Sequence, residues 1–357
     1  MYYNRNLITA EQHPATLSNA SGVFDLQSQA FYRSQFEWPF GDDVGFAVVV
    51  EIELANTELE LRKVSVSTNY TVDWGDGSSL ETSTADNLPH TYTLPGTYII
   101  KGAVNSGTWI PWANNKASQK NFTKFELRNQ PSIASTGTNY RVFRGMSRLT
   151  AAAFPPSFFA SFTNLNSMFT SCSSLQSVIL FDTSNCTNLG GLFGGCYVLK
   201  EAPLFDCSSN TNLGQTFKDC FSLRSIPPFA DTSKVTSFNS FTRSCYLITS
   251  FPSLDFSSAT NCGYMCFGAN SLKNFPANRF DTTGTLIANA FHNAFNGCNL
   301  SVQSIENILV SLVANGATGI TLAIGGGNNP AYSTWSSAAQ TALTTLQSRS
   351  WNVTYNT

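Results

Sequence analysis

The residues able to do chemistry in this chain are three histidines, nine cysteines and a set of aspartates that recur in phase. Nine thiols invite two readings, metal ligation and disulfide bonding. A zinc site needs paired ligands a few residues apart, twice over. Here the close pair is Cys262 and Cys266, and His13, His90 and His292 lie far from it in sequence, so no metal is expected. The start, MYYNRNLITAEQHP, has no apolar run of the length that opens an export signal. Folding in a cytosol with reduced thiols is the expectation, and a reduced buried thiol packs as a small apolar side chain.

Hydrolytic chemistry finds no foothold. Serines are abundant, but no GxSxG and no HExxH motif occurs. Glycoside hydrolysis needs two convergent carboxylates, and the acidic residues of the middle of the chain are explained by their phase. The stretch GGGNN, residues 325–329, lacks the Lys-Ser/Thr that completes a phosphate loop. No catalytic residue, enzymatic activity or cofactor is therefore expected.

The elements that position these residues follow from the spacing of the cysteines. An aromatic residue, a small residue three on and a Leu three further recur as Phe143–Met146–Leu149, Phe169–Cys172–Leu175, Phe193–Cys196–Leu199 and Phe217–Cys220–Leu223. A slipped copy reads Phe241–Cys245–Leu247, the next Cys266–Ala269–Leu272, and the last keeps Phe295 and Cys298. A second phrase alternates with the first, as in FDTSNCTNL and FDCSSNTNL, and carries Asp182, Asp206, Asp231, Asp255 and Asp281 in one column. A period of 20–50 residues marks units that bury their apolar faces only by stacking. Equivalent residues then lie about 4.8 Å apart in neighbouring coils. Phe and Leu form the core, and the cysteine column takes only small side chains. The least regular stacking is expected at the slipped copy and in the longer last copy.

Two columns carry alternative readings. An Asp at a turn accepts hydrogen bonds from the backbone two residues on; calcium bridging is the competing role, and turn-making is favoured. The position after each Cys holds Ser173, Tyr197, Phe221, Tyr246, Asn270 and Asn299. The three consecutive rings either pack on the loop beneath them or form an exposed ladder on which sugars stack. Tyr197, Phe221 and Tyr246 are the candidate receptor-binding residues.

The phrases MFTSCSSL and FDTSNCTNLGGLF resemble the BspA-like leucine-rich repeats of bacterial surface proteins and phage structural proteins, over roughly residues 140–300. Upstream, Trp74-Gly75-Asp76-Gly77-Ser78 followed by His90-Thr91-Tyr92 and Pro95-Gly96-Thr97-Tyr98 resembles the PKD domain. That likeness implies an immunoglobulin-like β-sandwich with structural roles for Asp73, Asp76 and His90. Trp109 and Trp112 are expected to cover the seam with the first repeat. The segment SNASGVFDLQSQAFYRSQFEWP resembles a motif near the start of phage tail and appendage proteins, and the end of the chain resembles the closing cap of phage repeat proteins. There, Ile305, Ile308, Leu309 and Leu312 stand at helical spacing, and Gly316 is the stop.

The expected fold class is mainly β. A virion-attachment segment (1–43) precedes a PKD-like sandwich (44–133), a leucine-rich-repeat solenoid (134–300) and an α/β C-terminal cap (301–357). Charged residues make up only 12% and net charge is −2, so an electrostatic grip on nucleic acid is not expected. No stretch is long and apolar enough to insert in a membrane. The reading that unites these features is a phage virion protein, assembled in the host cytoplasm. It would be a tail fibre or similar appendage, a homo-oligomer docked on other virion proteins through its N-terminal segment. Its partner would be a host surface glycan or protein. A decoration or connector without a receptor, or a bacterial adhesin, is the alternative.

Overall fold

The computed structural model describes residues 45–62, 70–85, 87–104, 121–128, 141–154, 159–178, 182–229 and 231–357. The first part is antiparallel β. Alternation turns Phe46, Val48, Val50 and Ile52 of β1 (Gly45–Ile52) inward, with Leu59 and Leu61 of β2 (Thr57–Arg62) and Tyr70 and Val72 of β3 (Tyr70–Asp73). β4 (Glu81–Ser83), β5 (Asn87–Tyr92), β6 (Gly96–Val104) and β7 (Phe122–Arg128) follow. β2 pairs with β5 in a small sheet, and the others join in the order β4-β3-β6-β1-β7. Phe122 and Phe125 are both buried although they stand three positions apart, an odd offset that regular alternation would send to opposite faces. The register shift opposite Val49 and Val50 resolves this, because one extra β7 residue there resets the alternation.

The sheet does not end at β7. Two short strands, β8 (Ala151–Ala153) and β9 (Ser177–Val178), continue it in parallel, Lys124 opposite Ala151 and Ala151 opposite Ser177. Arg148 reinforces this junction by pairing with Glu51 and, at 2.5 Å, with Glu53. Antiparallel sheet and repeats therefore share one seven-stranded sheet.

Beyond it, the repeats stack as tiers. Gly145 N donates to Thr170 O, Ser171 N to Gly194 O, Gly195 N to Lys218 O and Asp219 N to Arg243 O, at 2.7–2.8 Å. On another side Asn164, Asn188, Asn212, Ser237 and Asn261 form a file of parallel bridges. Inside, the rings of Phe143, Phe169, Phe193 and Phe217 stack at 5.2, 5.5 and 6.1 Å, within 10° of parallel.

The slipped copy is read differently by the structure. Leu247 is 49% exposed, and Ile248 is the buried residue in its place. Arg243 O takes the place of Lys218 O in the hydrogen-bond file, so Thr242, itself buried, occupies the aromatic slot. The copy is Thr242–Cys245–Ile248, one tier of 25 residues with its inner spacing intact. Stacking stays regular through it, with Ser240 N to Gly263 O and Thr242 N to Met265 O both at 2.8 Å.

The C-terminal segment closes the stack. Ser301 caps α1 (Val302–Asn315), and Gly316, at φ 84°, ends it in the left-handed conformation that glycine adopts without strain. β10 (Thr321–Ala323) lies on the last tier, where Phe291 bridges Leu322 and Phe295 N donates to Ala323 O. α2 (Ser337–Ser348) packs on α1, and β11 (Asn352–Thr354) pairs in parallel with β10. Asn329, the last residue of GGGNN, is buried and donates to Phe295 O and Ile324 O at 2.9 Å, so it ties the cap to the stack.

Candidate functional site

Each Phe-x-x-Cys-x-x-Leu phrase is two successive tight turns. Cys220 N donates to Phe217 O and Leu223 N to Cys220 O, both at 3.1 Å, and the same bonds recur in the tiers of Cys172 and Cys196. The residue before each Cys column position has positive φ: Gly145, Ser171, Gly195, Asp219, Ser244, Gly268 and Gly297. Glycines and small polar residues tolerate that conformation best. The turn points Phe, Cys and Leu inward and throws the residue after Cys outward.

That outward position carries the ladder. Tyr197 and Tyr246 are 46% and 40% exposed, and Phe221 between them is half-buried. The rings stack face to face, Tyr197 on Phe221 at 4.8 Å and Phe221 on Tyr246 at 5.0 Å, within 10° of parallel. The structure thus brings all three candidate residues into one exposed file. It also changes what they offer, because inner ring faces cover one another and the file presents edges. Its ends lie toward the tiers of Ser173 and Asn270, whose equivalent positions carry no ring.

The cysteine column is more than a small filler. All nine thiols are free and buried. Cys172 donates to Phe143 O, Cys196 to Phe169 O, Cys220 to Phe193 O, Cys245 to Phe217 O and Cys298 to Cys266 O, at 2.9–3.2 Å. Each thiol reaches the tier before it. Burial pushes the thiols up, Cys186 and Cys266 to about 12, so they stay protonated and are poor nucleophiles. No group of three or more His, Cys, Asp or Glu positioned to hold a metal occurs among the described residues.

The aspartate column makes turns. Asp182, Asp206, Asp231 and Asp255 each accept from the backbone N–H two residues on, Ser184, Ser208, Ser233 and Ser257, at 2.7–2.9 Å. Asp281 departs from the file and accepts from the hydroxyl of Ser311 on α1.

In the antiparallel part, His90 Nε2 meets Asp76 Oδ2 at 2.7 Å, its ring stacked on Trp74 at 4.4 Å and edged by Tyr92. Asp76 also accepts from Ser78 N, Asp73 from Gly75 N, and Tyr92 donates to the carbonyl of Trp74. These groups lock one turn to β5. Trp109, Trp112 and residues 1–43, where an attachment segment is expected, lie outside the described residues.

One cluster escaped sequence reasoning. The guanidinium of Arg243 lies over Tyr264 and Phe267, at 5.4 and 5.2 Å from the ring centres, and Tyr264 meets the ring of His292 edge-on. The signal was present in the phase, since Phe267 follows Arg243 by one tier, but Phe267 stands at a variable position of its copy and Tyr264 lies between the two phrases.

A family model described as "Mycoplasma protein of unknown function, DUF285" matches residues 163–280, the tiers that carry the ladder. No curated protein and no solved structure matches the chain.

Proposed function

We propose that this chain is a structural protein of a phage virion, a tail fibre or comparable appendage, that binds a host surface receptor non-covalently. On this reading residues 44–133 are an immunoglobulin-like spacer of PKD type, the tiers are a leucine-rich-repeat solenoid, and the N-terminal segment docks on other virion proteins. The observation that carries it is the file Tyr197–Phe221–Tyr246, three stacked rings from three successive tiers, with both tyrosines exposed and Phe221 half-buried between them. Exposed aromatics in a row are costly on a surface with no partner, and recognition surfaces are enriched in them. Several copies per particle convert weak single contacts into avidity.

The test is adsorption of the phage to host cells pre-coated with the purified chain. A dose-dependent fall in adsorption that Phe221→Ala abolishes supports the reading. Unchanged adsorption with folded protein in excess refutes receptor binding and favours a decoration or connector role.

A further inference from the structure

We infer that the ladder is the centre of a binding strip for an acidic polysaccharide; this rests on the receptor-binding reading and narrows its ligand. The two tight turns of each tier bring residues three apart to the same side, as in any winding with three residues per turn. In one tier Phe217, Cys220 and Leu223 face inward, and Lys218, Phe221 and Arg224 share the outer side. The tier before reads Gly194, Tyr197, Lys200, and the tier after reads Arg243, Tyr246, Thr249. Backbone bonds align these columns: Gly195 N to Lys218 O, Asp219 N to Arg243 O, Ser222 N to Tyr197 O and Arg224 N to Lys200 O. The aromatic file is therefore edged by Lys218 and Arg243 on one side and by Lys200 and Arg224 on the other.

These cations are scarcely neutralised. Among the described residues Lys200, Arg224 and Arg243 form no ion pair, and Lys218 reaches Asp219 only at 3.9 Å. Arg243 Nε is the one buried side-chain nitrogen or oxygen without a hydrogen-bond partner among the described residues. Its charge is held by the rings of Tyr264 and Phe267, which orient the guanidinium without cancelling it. In a chain with 12% charged residues, four cations border one aromatic file, against the two acidic residues in or next to the same turns, Glu201 and Asp219.

Ring orientation selects among polyanions. Nucleobases bind by stacking on bare aromatic faces, and the inner faces here are covered by one another. What points outward is the ring edge, the positive part of the aromatic quadrupole, together with the edges of two tyrosines. Positive edges between two lines of cations fit oxygen-rich anions repeated along a chain. Carboxylate- or sulfate-bearing sugars supply that pattern, with successive tiers about 4.8 Å apart as the matching interval.

The experiment measures binding of the full chain to alginate and to heparin, against neutral dextran and a single-stranded oligonucleotide. An acidic glycan is expected to bind, dextran not, and the affinity to fall with added salt. The triple variant Lys200→Gln, Lys218→Gln, Arg224→Gln, with an unchanged melting curve, should lose roughly tenfold or more in affinity. Dextran binding as tightly, an oligonucleotide binding more tightly than both acidic glycans, neither glycan binding, or a triple variant equal to the parent each overturns the inference. If the triple variant still blocks phage adsorption as the parent does, receptor binding stands and the acidic-glycan strip falls. If the parent binds acidic glycan yet blocks no adsorption, the strip stands and the receptor reading falls.

Discussion

The thiol of Cys220 donates to the carbonyl of Phe193, one tier away, at 3.2 Å. A carbonyl oxygen has two lone pairs, and this one receives its bond from a side chain that also fills the core. Cys thus does in one residue what Ala, which fills the same column at Ala269, does only in part. Replacing Cys220 by Ala removes the sulfur contacts and the weak donor together. Expected is a loss of about 1–2 kcal/mol in denaturant unfolding, with the slope of the transition unchanged.

The thiols as a set predict a labelling result. Burial holds them protonated and out of reach, so a thiol-reactive dye should label none in the native protein and all nine after unfolding. Intact mass should correspond to nine free thiols; a deficit of two hydrogens per pair would contradict this.

Phe221 touches a ring on each face, and Tyr197 touches one ring of the file, Phe221. Stacked aromatic pairs contribute about 0.5–1.5 kcal/mol each. Phe221→Ala should therefore destabilise more than Tyr197→Ala, by about one such pair, as read from thermal melting. On the proposed receptor-binding reading it should also weaken binding more, since it separates the two tyrosines.

Asp76 gives the antiparallel part an acid limit. Partial burial raises its pKa, but hydrogen bonds from Ser78 and the His90 contact outweigh that and hold it at about 2, below its ordinary 3.8. A depressed folded value means stability that is present above the unfolded pKa and lost as pH falls through the folded one. Unfolding measured between pH 5 and 2, as rough bounds, should show this loss in the parent and a flatter profile in Asp76→Asn.

Two glycines of the same turn should behave differently. A Cβ on Gly75, at φ 74°, would stand 2.4 Å from the carbonyl oxygen of Ile99, a backbone atom that cannot step aside. Gly77, at φ 85°, has nothing within 4 Å of its Cβ position. Gly77→Ala should cost about 1 kcal/mol, the conformational term alone. Gly75→Ala should cost clearly more, since it adds a backbone clash.

The sequence carried the inward columns because Phe, Cys and Leu repeat with the perimeter of one tier, and it carried the aspartate turns because their hydrogen bonds are local. The fifth copy was misjudged because Phe241 and Leu247 match the phrase by type, whereas register is decided by the backbone, where Arg243 O replaces Lys218 O. The column of Tyr197, Phe221 and Tyr246 was legible from phase, while its exposure was left open against packing on the loop beneath. The covering of its inner faces was not, since one residue per tier says nothing of ring rotation. The β7–β8 junction left no trace either, because Ala151, Ala152 and Ala153 show neither alternation nor β-branched residues.

That junction bears on how the chain is made. Because β8 lies in parallel on β7, the edge of the antiparallel part is a seed against which the first tier finds its register. Domains fold as units, N-terminal first, during synthesis, and stacked repeats extend by adding neighbours. The ribosome delivers this edge before the tiers that stack on it, so a stack that grew from it would run toward β10, which covers the last tier.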